Sequence, residues 1–450
     1  MAIQQIIFIG LLAVVIWLAS RSYGQILRNI RLGKPSKLEG ERMVRLRNVA
    51  LIAFGQQKMF KRIIPALLHL CVYVAFIFTQ IELIEIIIDG SIGSHRLFAP
   101  LLGGSYTIVI NTIEVLSILA LVATLLFLWR RNIMRLTRFE KPEMAGWPKN
   151  DANIILLGEI VLIIGIFMMN GADGLLQALR PSEYPATGTL WLSSVFANSF
   201  FGGVEVSTLI IIERIGWWLH ILAVFGFFLY LPISKHLHIL LGFPNTYFAR
   251  NTPKGMMSNM PEVMNEVRSM MGLDPDNGSD VSAEIPEFGA KDIVDLDQRH
   301  LLAAYSCTEC GRCTSVCPAN LTGKKLSPRK IMMDVRDRME EVGDKWSDHL
   351  IEEKSNGKVE RRFDDGRSLF DYISAEEINA CTSCNACVEA CPLLINPLDI
   401  ILELRRYEIL TRAAGPAEWM PMFTTLENSG AVWQVAAERD DWTNDLKVER

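Results

Sequence analysis

The clearest chemistry in this sequence is carried by cysteines in two runs of equal spacing. The runs are Cys307-x2-Cys310-x2-Cys313-x3-Cys317-Pro318 and Cys381-x2-Cys384-x2-Cys387-x3-Cys391-Pro392. Together they use eight of the nine cysteines in the chain. Thiolates at this spacing bind [4Fe-4S] clusters, so the sequence predicts two such clusters.

The spacing also predicts which thiolates share a cluster. It matches the run of bacterial two-cluster ferredoxins, in which the fourth cysteine of each run reaches the other cluster. The two expected ligand sets are Cys307, Cys310, Cys313 and Cys391, and Cys381, Cys384, Cys387 and Cys317. Zinc is the alternative, because paired CxxC motifs also bind it. The third cysteine and the closing Cys-Pro of each run favour the clusters.

Histidines within apolar segments are the second candidates for metal chemistry, because an imidazole in hydrocarbon needs a partner. On one continuous helix, His220 and His238 would share a face about 27 Å apart. His69 lies about 10 Å along its helix from Arg62. His69 and His238 could therefore bind a b-type haem from both sides. The alternative is that each histidine bonds a neighbouring helix, which we favour for His236.

The elements that must position these residues begin with five apolar segments. Each is about long enough to cross a hydrocarbon core of roughly 30 Å. They lie at 3–19, 63–88, 107–129, 153–169 and 207–233. The first has no basic residues before it, so we interpret it as an uncleaved anchor rather than a signal peptide. The sequence thus predicts a lipid bilayer as the environment of this half.

The basic residues between the segments predict the orientation. Segments 21–62, 130–149 and 235–254 hold eleven, six and three Lys or Arg, against one each in 90–105 and 171–206. Basic loops stay in the cytoplasm. We therefore expect a multi-pass protein of a bacterial or archaeal cytoplasmic membrane, with the N-terminus outside and the cysteine runs in the cytoplasm.

Several acidic residues also fall within the apolar segments. A carboxylate buried in lipid costs several kcal/mol unless it is paired or neutral. Beside a redox centre, such groups can accept the protons that a quinol releases. We interpret Glu82, Glu114 and Glu213 as candidates for a quinone or proton site. The alternative is that each glutamate bonds Arg96, Arg214 or the backbone.

Composition narrows the class of protein. The 450 residues are 50% hydrophobic and 21% charged, and the mean hydropathy is +0.23. Residues 1–250 are net basic and residues 251–450 net acidic. No basic tract with interleaved aromatic residues occurs, so nucleic-acid binding is not expected. No nucleotide-binding glycine motif, nucleophilic triad or HExxH motif occurs either. Substrate chemistry is therefore expected from a partner.

The predicted fold is all-α. It consists of a five-helix transmembrane bundle followed by a cytoplasmic, α-helical ferredoxin domain with two [4Fe-4S] clusters. The expected parts are a cytochrome b-like domain at 1–250, a linker at 251–300, the ferredoxin domain at 301–412 and a partner-docking tail at 413–450. Apolar periodicity predicts helices at 261–271, 328–343 and 397–411.

The last apolar segment carries a resemblance to a known family. The stretch 220–238, with its Pro-x-Ser-basic run, resembles the last span of the cytochrome b subunit (gamma subunit) of respiratory nitrate reductase. In that family four histidines bind two haems, but Thr79 stands where one partner is expected. The resemblance implies a haem b on His69 and His238, and it leaves a second haem on His220 open. Substitute ligands for that second haem are Met59 and His95.

The cysteine domain resembles the iron-sulfur subunit of heterodisulfide reductase and the helical cluster domain of succinate dehydrogenase. The tail, with Leu426–Gly430 and Trp433, resembles the segment after the second cluster in larger proteins of the heterodisulfide reductase-like family. A CCG domain follows in those proteins, whereas this sequence has no CCG motif and no cysteine after Cys391. The resemblance implies a separate soluble partner, either a CCG-domain protein like the catalytic subunit of heterodisulfide reductase or an electron-transfer flavoprotein.

These observations favour an electron-transfer subunit of a quinone-linked oxidoreductase complex. Electrons would pass between the clusters, haem b and quinone, in a direction that the residues leave open. A second hypothesis is a membrane-anchored iron-sulfur scaffold or redox sensor without haem. A third is an ion-translocating subunit that uses the glutamates of the spans.

Overall fold

The computed structural model describes residues 3–36, 38, 40–273, 287–355, 358–433 and 440–443. Contacts group the chain into two compact units. The first comprises Met1–Met256 and Asp292–Leu398, and the second comprises Met257–Lys291 and Asp399–Arg450. The apolar segments and all eight cysteines of the two runs lie in the first unit.

Helices dominate both halves of the chain. Up to residue 250 they are α1 (Ile3–Ile30), α2 (Arg42–Asn48), α3 (Ile63–Ile92), α4 (Phe98–Leu102), α5 (Gly104–Asn132), α6 (Trp147–Leu179), α7 (Trp191–Phe200), α8 (Val206–Tyr230) and α9 (His238–Phe248). The remaining helices are α10 (Pro261–Met270), α11 (Gln298–Tyr305), α12 (Pro318–Leu321), α13 (Pro328–Lys345), α14 (Ala375–Asn379), α15 (Ala386–Ala390), α16 (Pro397–Arg406) and α17 (Met420–Ser429). Within the described residues the only sheet is one antiparallel hairpin, β1 (Leu350–Ser355) with β2 (Lys358–Phe363).

The expected all-α fold with five membrane-spanning helices is confirmed. Within the described residues, five helices are long and apolar enough to cross a membrane, namely α1, α3, α5, α6 and α8 with the turn that follows it. Each is longer than the apolar run that predicted it. The span expected at 153–169, for example, is the 33-residue helix Trp147–Leu179. The helices extend beyond the apolar runs because the polar residues at their ends continue the same pattern of backbone hydrogen bonds.

The closest packing in the bundle joins α6 to α8 and depends on glycine. A Cβ atom at Gly216 would lie 2.6 Å from the backbone nitrogen of Met169, and one at Gly165 would lie 3.0 Å from the backbone nitrogen of His220. Small residues let two helix backbones approach this closely, and close approach is a main source of helix association in lipid. Phe8 of α1 completes this core, with its ring 5.4 Å from that of Trp217.

The chain breaks after α8 rather than continuing as one helix. Two short turns at Leu231–Ile233 and Lys235–Leu237 precede α9, which begins at His238. Asp151 holds the break by accepting hydrogen bonds from Tyr230 (2.6 Å) and Ser234 (2.7 Å). The expectation that His220 and His238 share a face of one helix is therefore wrong, because Pro232 lacks the N–H that a continuous helix needs.

The domain that carries the cysteines consists of short helices around α13. This helix was expected at 328–343 and is observed at Pro328–Lys345. The side chain of Ser327, just before the helix, accepts a hydrogen bond from the backbone N–H of Lys330. Arg338 is completely buried and pairs with Asp292 (2.6 Å) and Asp365 (2.8 Å). These pairs connect Asp292, near the start of the domain, with Arg338 and Asp365 in its middle.

The cysteine-bearing domain covers one end of the bundle. Lys34, just beyond α1, donates its backbone N–H to Leu296 (2.8 Å). Asn29 donates to Tyr305 (2.9 Å). Arg62, just before α3, donates to Ser315 (2.9 Å). We call this end of the bundle the docked end and the other the far end.

The second unit contains α10, most of α16 and α17. The helix expected at 261–271 is observed as α10, and the one expected at 397–411 is observed as α16 followed by a wider turn at Tyr407–Thr411. Gly289 has φ +77°, and a Cβ there would lie 2.4 Å from the carbonyl oxygen of Glu403. Of the predicted linker and tail, residues 274–286, 434–439 and 444–450 lie outside the described residues.

Packing at Gly216 provides a test of the bundle. Gly216→Ala should separate α6 from α8 and cost about 1 to 3 kcal/mol, because the new Cβ has no space beside the Met169 backbone. Gly226→Ala is the matched control, since it lies on the same helix with nothing within 4 Å of its added Cβ. Thermal unfolding in detergent should show a lower Tm for the first variant alone. Equal Tm values would contradict this packing.

Candidate functional site

The two cysteine loops share one backbone conformation. In the first, Glu309 has φ 52° and Gly311 has φ 69°; in the second, Ser383 has φ 55° and Asn385 has φ 62°. These residues stand two and four positions after the first cysteine of each run. Left-handed residues at such regular positions curl the backbone tightly. Each loop therefore wraps around a centre of its own.

The fourth cysteine of each run comes close to the other loop. The Cys391 thiol interacts electrostatically with Cys310, and the Cys307 thiol interacts with both Cys310 and Cys391. The thiol of Cys387 interacts with Cys381, Cys384 and Cys317. The structure thus brings together two groups. We call Cys307, Cys310, Cys313 and Cys391 the Cys307 set, and Cys317, Cys381, Cys384 and Cys387 the Cys381 set.

The two sets are neighbours. The Cys313 thiol interacts with members of its own set and also with Cys387 of the other. Backbone N–H groups point at the sulfurs, since Ile395 donates to the Cys391 Sγ (3.4 Å) and Ser383 donates to the Cys381 Sγ (3.5 Å). Such bonds are a common way for proteins to stabilise the sulfur ligands of iron-sulfur clusters.

The buried thiols are poorly suited to carry charge without iron. Burial raises the pKa of Cys307 and Cys387 to about 12 and that of Cys391 to about 11. Only a positive centre would keep them as thiolates. Among the described residues no three His, Cys, Asp or Glu are close enough to bind one metal ion. In a cubane each thiolate binds a different iron, so its ligands stand further apart. The donor set therefore fits [4Fe-4S] clusters.

Cations surround the Cys307 set where it meets the docked end. Arg312 donates to the carbonyl oxygens of Lys58 (3.3 Å) and Met59 (3.5 Å) and interacts electrostatically with the thiols of Cys310 and Cys391. Lys58 interacts with the Cys391 thiol as well. The loop thus binds the chain just before α3 through its own arginine.

Acidic residues at this junction are paired. Glu309, two positions after Cys307, is buried between Lys235 and Arg336, and the second pair spans 2.7 Å. Although burial raises the pKa of Glu309, these two cations bring it below its ordinary value. Glu143, between α5 and α6, likewise pairs with the fully buried Arg329 at 2.7 Å. The ends of α5, α6 and α8 therefore hold the domain through charge pairs.

His69 and His238 lie next to each other behind this junction. Their ring centres are 6.5 Å apart and the ring planes are inclined by 42°. The Nδ1 atom of His69 lies 3.0 Å from the Gln56 Oε1, and that of His238 lies 3.0 Å from the Lys235 carbonyl oxygen. Both acceptors place the ring proton on Nδ1 and leave each Nε2 free as a ligand.

The fit of this pair to a haem iron can be tested on the distance between the rings. Two metal-nitrogen bonds of about 2.0 Å, with about 1.1 Å from each nitrogen to its ring centre, place the ring centres roughly 6.2 Å apart. The observed 6.5 Å is close to this value. The spacing of His69 and His238 agrees with an iron between them, whereas the 5.7 Å between His236 and His238 lies slightly further from this value.

Of the other candidate ligands, His236 lies beside the pair, with its ring centre 5.7 Å from that of His238. The remaining candidates contact other groups. His220 Nδ1 lies 3.0 Å from the Leu162 carbonyl oxygen on α6. Thr79 bonds the Phe76 carbonyl oxygen of its own helix, and His95 lies 3.0 Å from the Asp173 carboxylate. Met59 belongs to the turn that Arg312 binds. His236 packs edge-on against Phe227, with ring centres 5.9 Å apart.

The glutamates lie at the far end and each has a partner. Glu82 contacts Arg96 (3.5 Å) and Asn170 (3.1 Å). Glu114 accepts the backbone N–H groups of Leu192 (2.9 Å) and Ser193 (3.4 Å) at the start of α7. One oxygen of Glu114 has no hydrogen-bond partner among the described residues. The bonding of Glu82 and Glu114 agrees with the alternative that these residues hold the bundle together.

Glu213 differs from the other glutamates because it adjoins an exposed face of its own helix. It pairs with Arg214, whose Nη2 lies 2.7 Å from the Glu213 Oε1. A shallow groove open to the surroundings runs along α8 beside Arg214, and the other residues that line it, all on the same helix, are Ile210, Ile211, Ile215, Trp218 and Leu219. Its surface is almost entirely apolar, with the arginine as the charged member.

Sequence reasoning missed a buried charge network around Arg96. The guanidinium group contacts Asp173 (3.1 Å), Asn170 (2.6 Å) and Tyr106 (3.3 Å), while Tyr106 donates to Glu85 (2.7 Å). The signal was available, because Asn170, Asp173 and Gln177 recur at helical spacing. They fell beyond residue 169, where the predicted fourth span stopped.

Comparison with known proteins identifies the cysteine-bearing region as that of an iron-sulfur protein. Residues 306–395 match the family of 4Fe-4S dicluster domains. Together with the five apolar helices, this match defines a membrane protein with an iron-sulfur domain. No solved structure matches the chain significantly.

Curated relatives give more detail. The chain is 29% identical over 440 residues to the probable iron-sulfur-binding oxidoreductase FadF of Bacillus subtilis, covering 92% of this chain and 57% of FadF. It is 27% identical over 462 residues to the EtfAB:quinone oxidoreductase of Syntrophomonas wolfei, covering 96% and 57%. A probable membrane-anchored ferredoxin of Chromohalobacter salexigens is 31% identical over 173 residues, covering 36% of this chain and 25% of that protein. The relatives are therefore named as two oxidoreductases, one of them iron-sulfur-binding, and a ferredoxin, and the chain spans just over half the length of the first two.

The crossing of the fourth cysteines can be tested by one substitution. Cys317→Ser should damage the cluster of the Cys381 set and spare the one nearer in sequence. The iron content of anaerobic samples should fall from about eight atoms per chain towards four, and the EPR signal of one cluster should remain. Cys71→Ser, in α3, is the control and should keep all the iron. Loss of the cluster on Cys307, Cys310 and Cys313 would contradict the assignment.

Proposed function

We propose that this chain is a membrane electron-transfer subunit that passes electrons between cytoplasmic [4Fe-4S] clusters, a haem b and the quinone pool. When bound, the clusters and the haem carry electrons one at a time. The protein sets the distances between these centres and the polarity of their surroundings, and it supplies a route for protons. A relative named as an iron-sulfur-binding oxidoreductase and another named as a quinone oxidoreductase support the general class.

The observation that carries this proposal is the close pair of His69 and His238, with ring centres 6.5 Å apart. On this proposal their Nε2 atoms hold the haem, and Gln56 and the Lys235 carbonyl oxygen orient the two rings. Gln56 has φ 49°, a strained value for this residue. Strain of this kind is retained where surrounding structure supports a site. We propose a single haem, because His220 has no facing ligand among the candidates.

The pair lies on the side of the bundle that the clusters face. Arg312, from the loop of the Cys307 set, is close enough to interact electrostatically with His69. A carrier at the histidine pair would therefore adjoin this set rather than the far end. The proposed order along the path is the Cys381 set, the Cys307 set, the histidine pair and then quinone.

We propose that the quinone binds near Glu213. The groove beside it offers apolar walls for a prenyl tail, and Glu213 with Arg214 offers polar atoms for the head group. Glu213 interacts electrostatically with Asp173 and His95, and Asp173 contacts Arg96, which contacts Glu82. This chain of polar groups is a route for protons. Glu114 stays a candidate for the same role.

The proposed orientation and partners follow from the distribution of charge and from the relatives. The basic segments between the helices all lie at the docked end, which supports a cytoplasmic position for the cysteine-bearing domain. For a soluble partner we propose an electron-transfer flavoprotein or a CCG-domain protein. A relative whose name includes both EtfAB and quinone supports the first of these. The membrane half would then be like the gamma subunit of nitrate reductase and the cysteine-bearing domain like the iron-sulfur subunit of heterodisulfide reductase.

A visible difference spectrum of the purified chain tests the haem. The reduced minus oxidised spectrum should show a sharp b-type alpha band, which His69→Ala or His238→Ala should abolish while both cluster signals persist by EPR. His236→Leu tests the neighbouring imidazole, whose ring centre lies 5.7 Å from that of His238, and it should keep the band if His69 and His238 are the ligands. A band that survives both alanine substitutions would rule out this pair. No band in the native protein would favour the scaffold hypothesis.

A kinetic test addresses the quinone. Glu213→Gln should slow reduction of the haem by a quinol analogue about tenfold or more, because the amide cannot accept the released proton. Haem and iron contents should stay at the native level. Glu183→Gln is the control, since Glu183 is an exposed carboxylate paired with Arg180. An unchanged rate for Glu213→Gln would argue against a quinone site beside this residue.

A further inference from the structure

We propose that Arg312 sets the cluster of the Cys307 set at a higher reduction potential than the cluster of the Cys381 set. Electrons would then collect on the cluster that adjoins the membrane helices. This inference rests on the proposed electron-transfer function and adds to it a direction of downhill flow between the clusters, towards the histidine pair.

The two loops allow a direct comparison because their backbones match while their charges differ. The first reads Cys-Thr-Glu-Cys-Gly-Arg-Cys and the second Cys-Thr-Ser-Cys-Asn-Ala-Cys. Left-handed residues occupy the same two positions in both. Arg312 in the first loop corresponds to Ala386 in the second. The side chain, and not the fold of the loop, therefore distinguishes the two sites.

The position of Arg312 is fixed by burial and by hydrogen bonds. Only 5% of the residue is exposed. Its guanidinium group donates to the carbonyl oxygens of Lys58 and Met59, at 3.3 and 3.5 Å. A buried cation is screened much less by water and salt than an exposed one. Its charge therefore acts on the neighbouring thiols of Cys310 and Cys391 with less screening than the charge of a surface arginine.

Further cations lie on the same side of the Cys307 set. Arg138 interacts electrostatically with the Cys310 thiol, and Lys58 interacts with the Cys391 thiol. Arg62 donates to Ser315 (2.9 Å), two residues after Cys313. The one acidic residue within this loop, Glu309, is held between two cations of its own. The net charge around this set is therefore positive.

The Cys381 set has different surroundings. Its loop carries the uncharged residues Ser383, Asn385 and Ala386, and Cys384 is exposed. The main electrostatic neighbours of Cys387 are the other thiols of its set. An exposed ligand also gives a soluble donor its closest approach at this set. Electrons would thus enter at the site with the lower potential.

The charge difference acts on the potential through simple electrostatics. Reduction adds one negative charge to a cluster, and a nearby cation stabilises that charge. One electron passes from the Cys381 site, which is oxidised by one unit, to the Cys307 site, which is reduced by one unit. No bond forms or breaks. In this direction the soluble partner proposed above would act as the donor of the electron, and the haem and quinone would accept it.

A redox titration of the full-length protein in detergent, followed by EPR, tests the inference. In the native protein the cluster that survives Cys317→Ser should have the higher potential. Arg312→Gln should lower the potential of this cluster by about 59 mV and leave that of the other unchanged. This difference is equivalent to a tenfold shift of the electron equilibrium between the two clusters. Arg312→Lys keeps the charge and should stay near the native value.

A converse substitution keeps the test decisive if Arg312→Gln fails to fold. Ala386→Arg should raise the potential of the Cys381-set cluster by a similar amount and leave the other unchanged. Native potentials in the reverse order would overturn the inference, as would substitutions that move neither cluster or both equally. These results leave the proposed function intact. Absence of both clusters from the native protein would overturn the proposed function itself and the inference with it.

Discussion

The pairing of buried charges at the junction between the cysteine loops and the helix ends is the constraint on which the rest of this structure depends. Lys235, Glu309 and Arg336 form one such group, and Arg329 with Glu143 forms another. A buried charge that loses its partner costs several kcal/mol. The domain can therefore satisfy its charges only in one position on the bundle. That position brings Arg312 to the start of α3 and the Cys307 set towards the histidine pair.

The histidine pair depends on the same junction. His238 is held by the backbone of Lys235, whose side chain bonds Glu309 of the first cysteine loop. The break that frees His238 from α8 is held by Asp151. One small region thus orients a candidate haem ligand and docks the candidate cluster loop. The metal sites are positioned together because they share these supports.

At the far end a second buried network has a different role. Arg96 and its partners join α3, α5 and α6 through polar contacts in a region where lipid offers none. Such contacts are strongly favoured in a bilayer because no water can replace them. The two networks lie at opposite ends of helices about 30 residues long. The arrangement separates the proposed cluster chemistry from the proposed quinone chemistry.

The amino-acid sequence by itself determined the number of apolar helices, the two cysteine runs and the helices around them. Each of these depends on local periodicity or spacing, which the order of residues in the sequence shows directly. The tertiary structure decided what depends on distant residues. The break at Pro232 removed the helix face expected for His220 and His238. Gln56 supplied the partner of His69, and Arg96 paired with carboxylates from two helices, α3 and α6. Local patterns set which elements form, but the pairing of buried polar groups requires elements that meet only after the chain has folded.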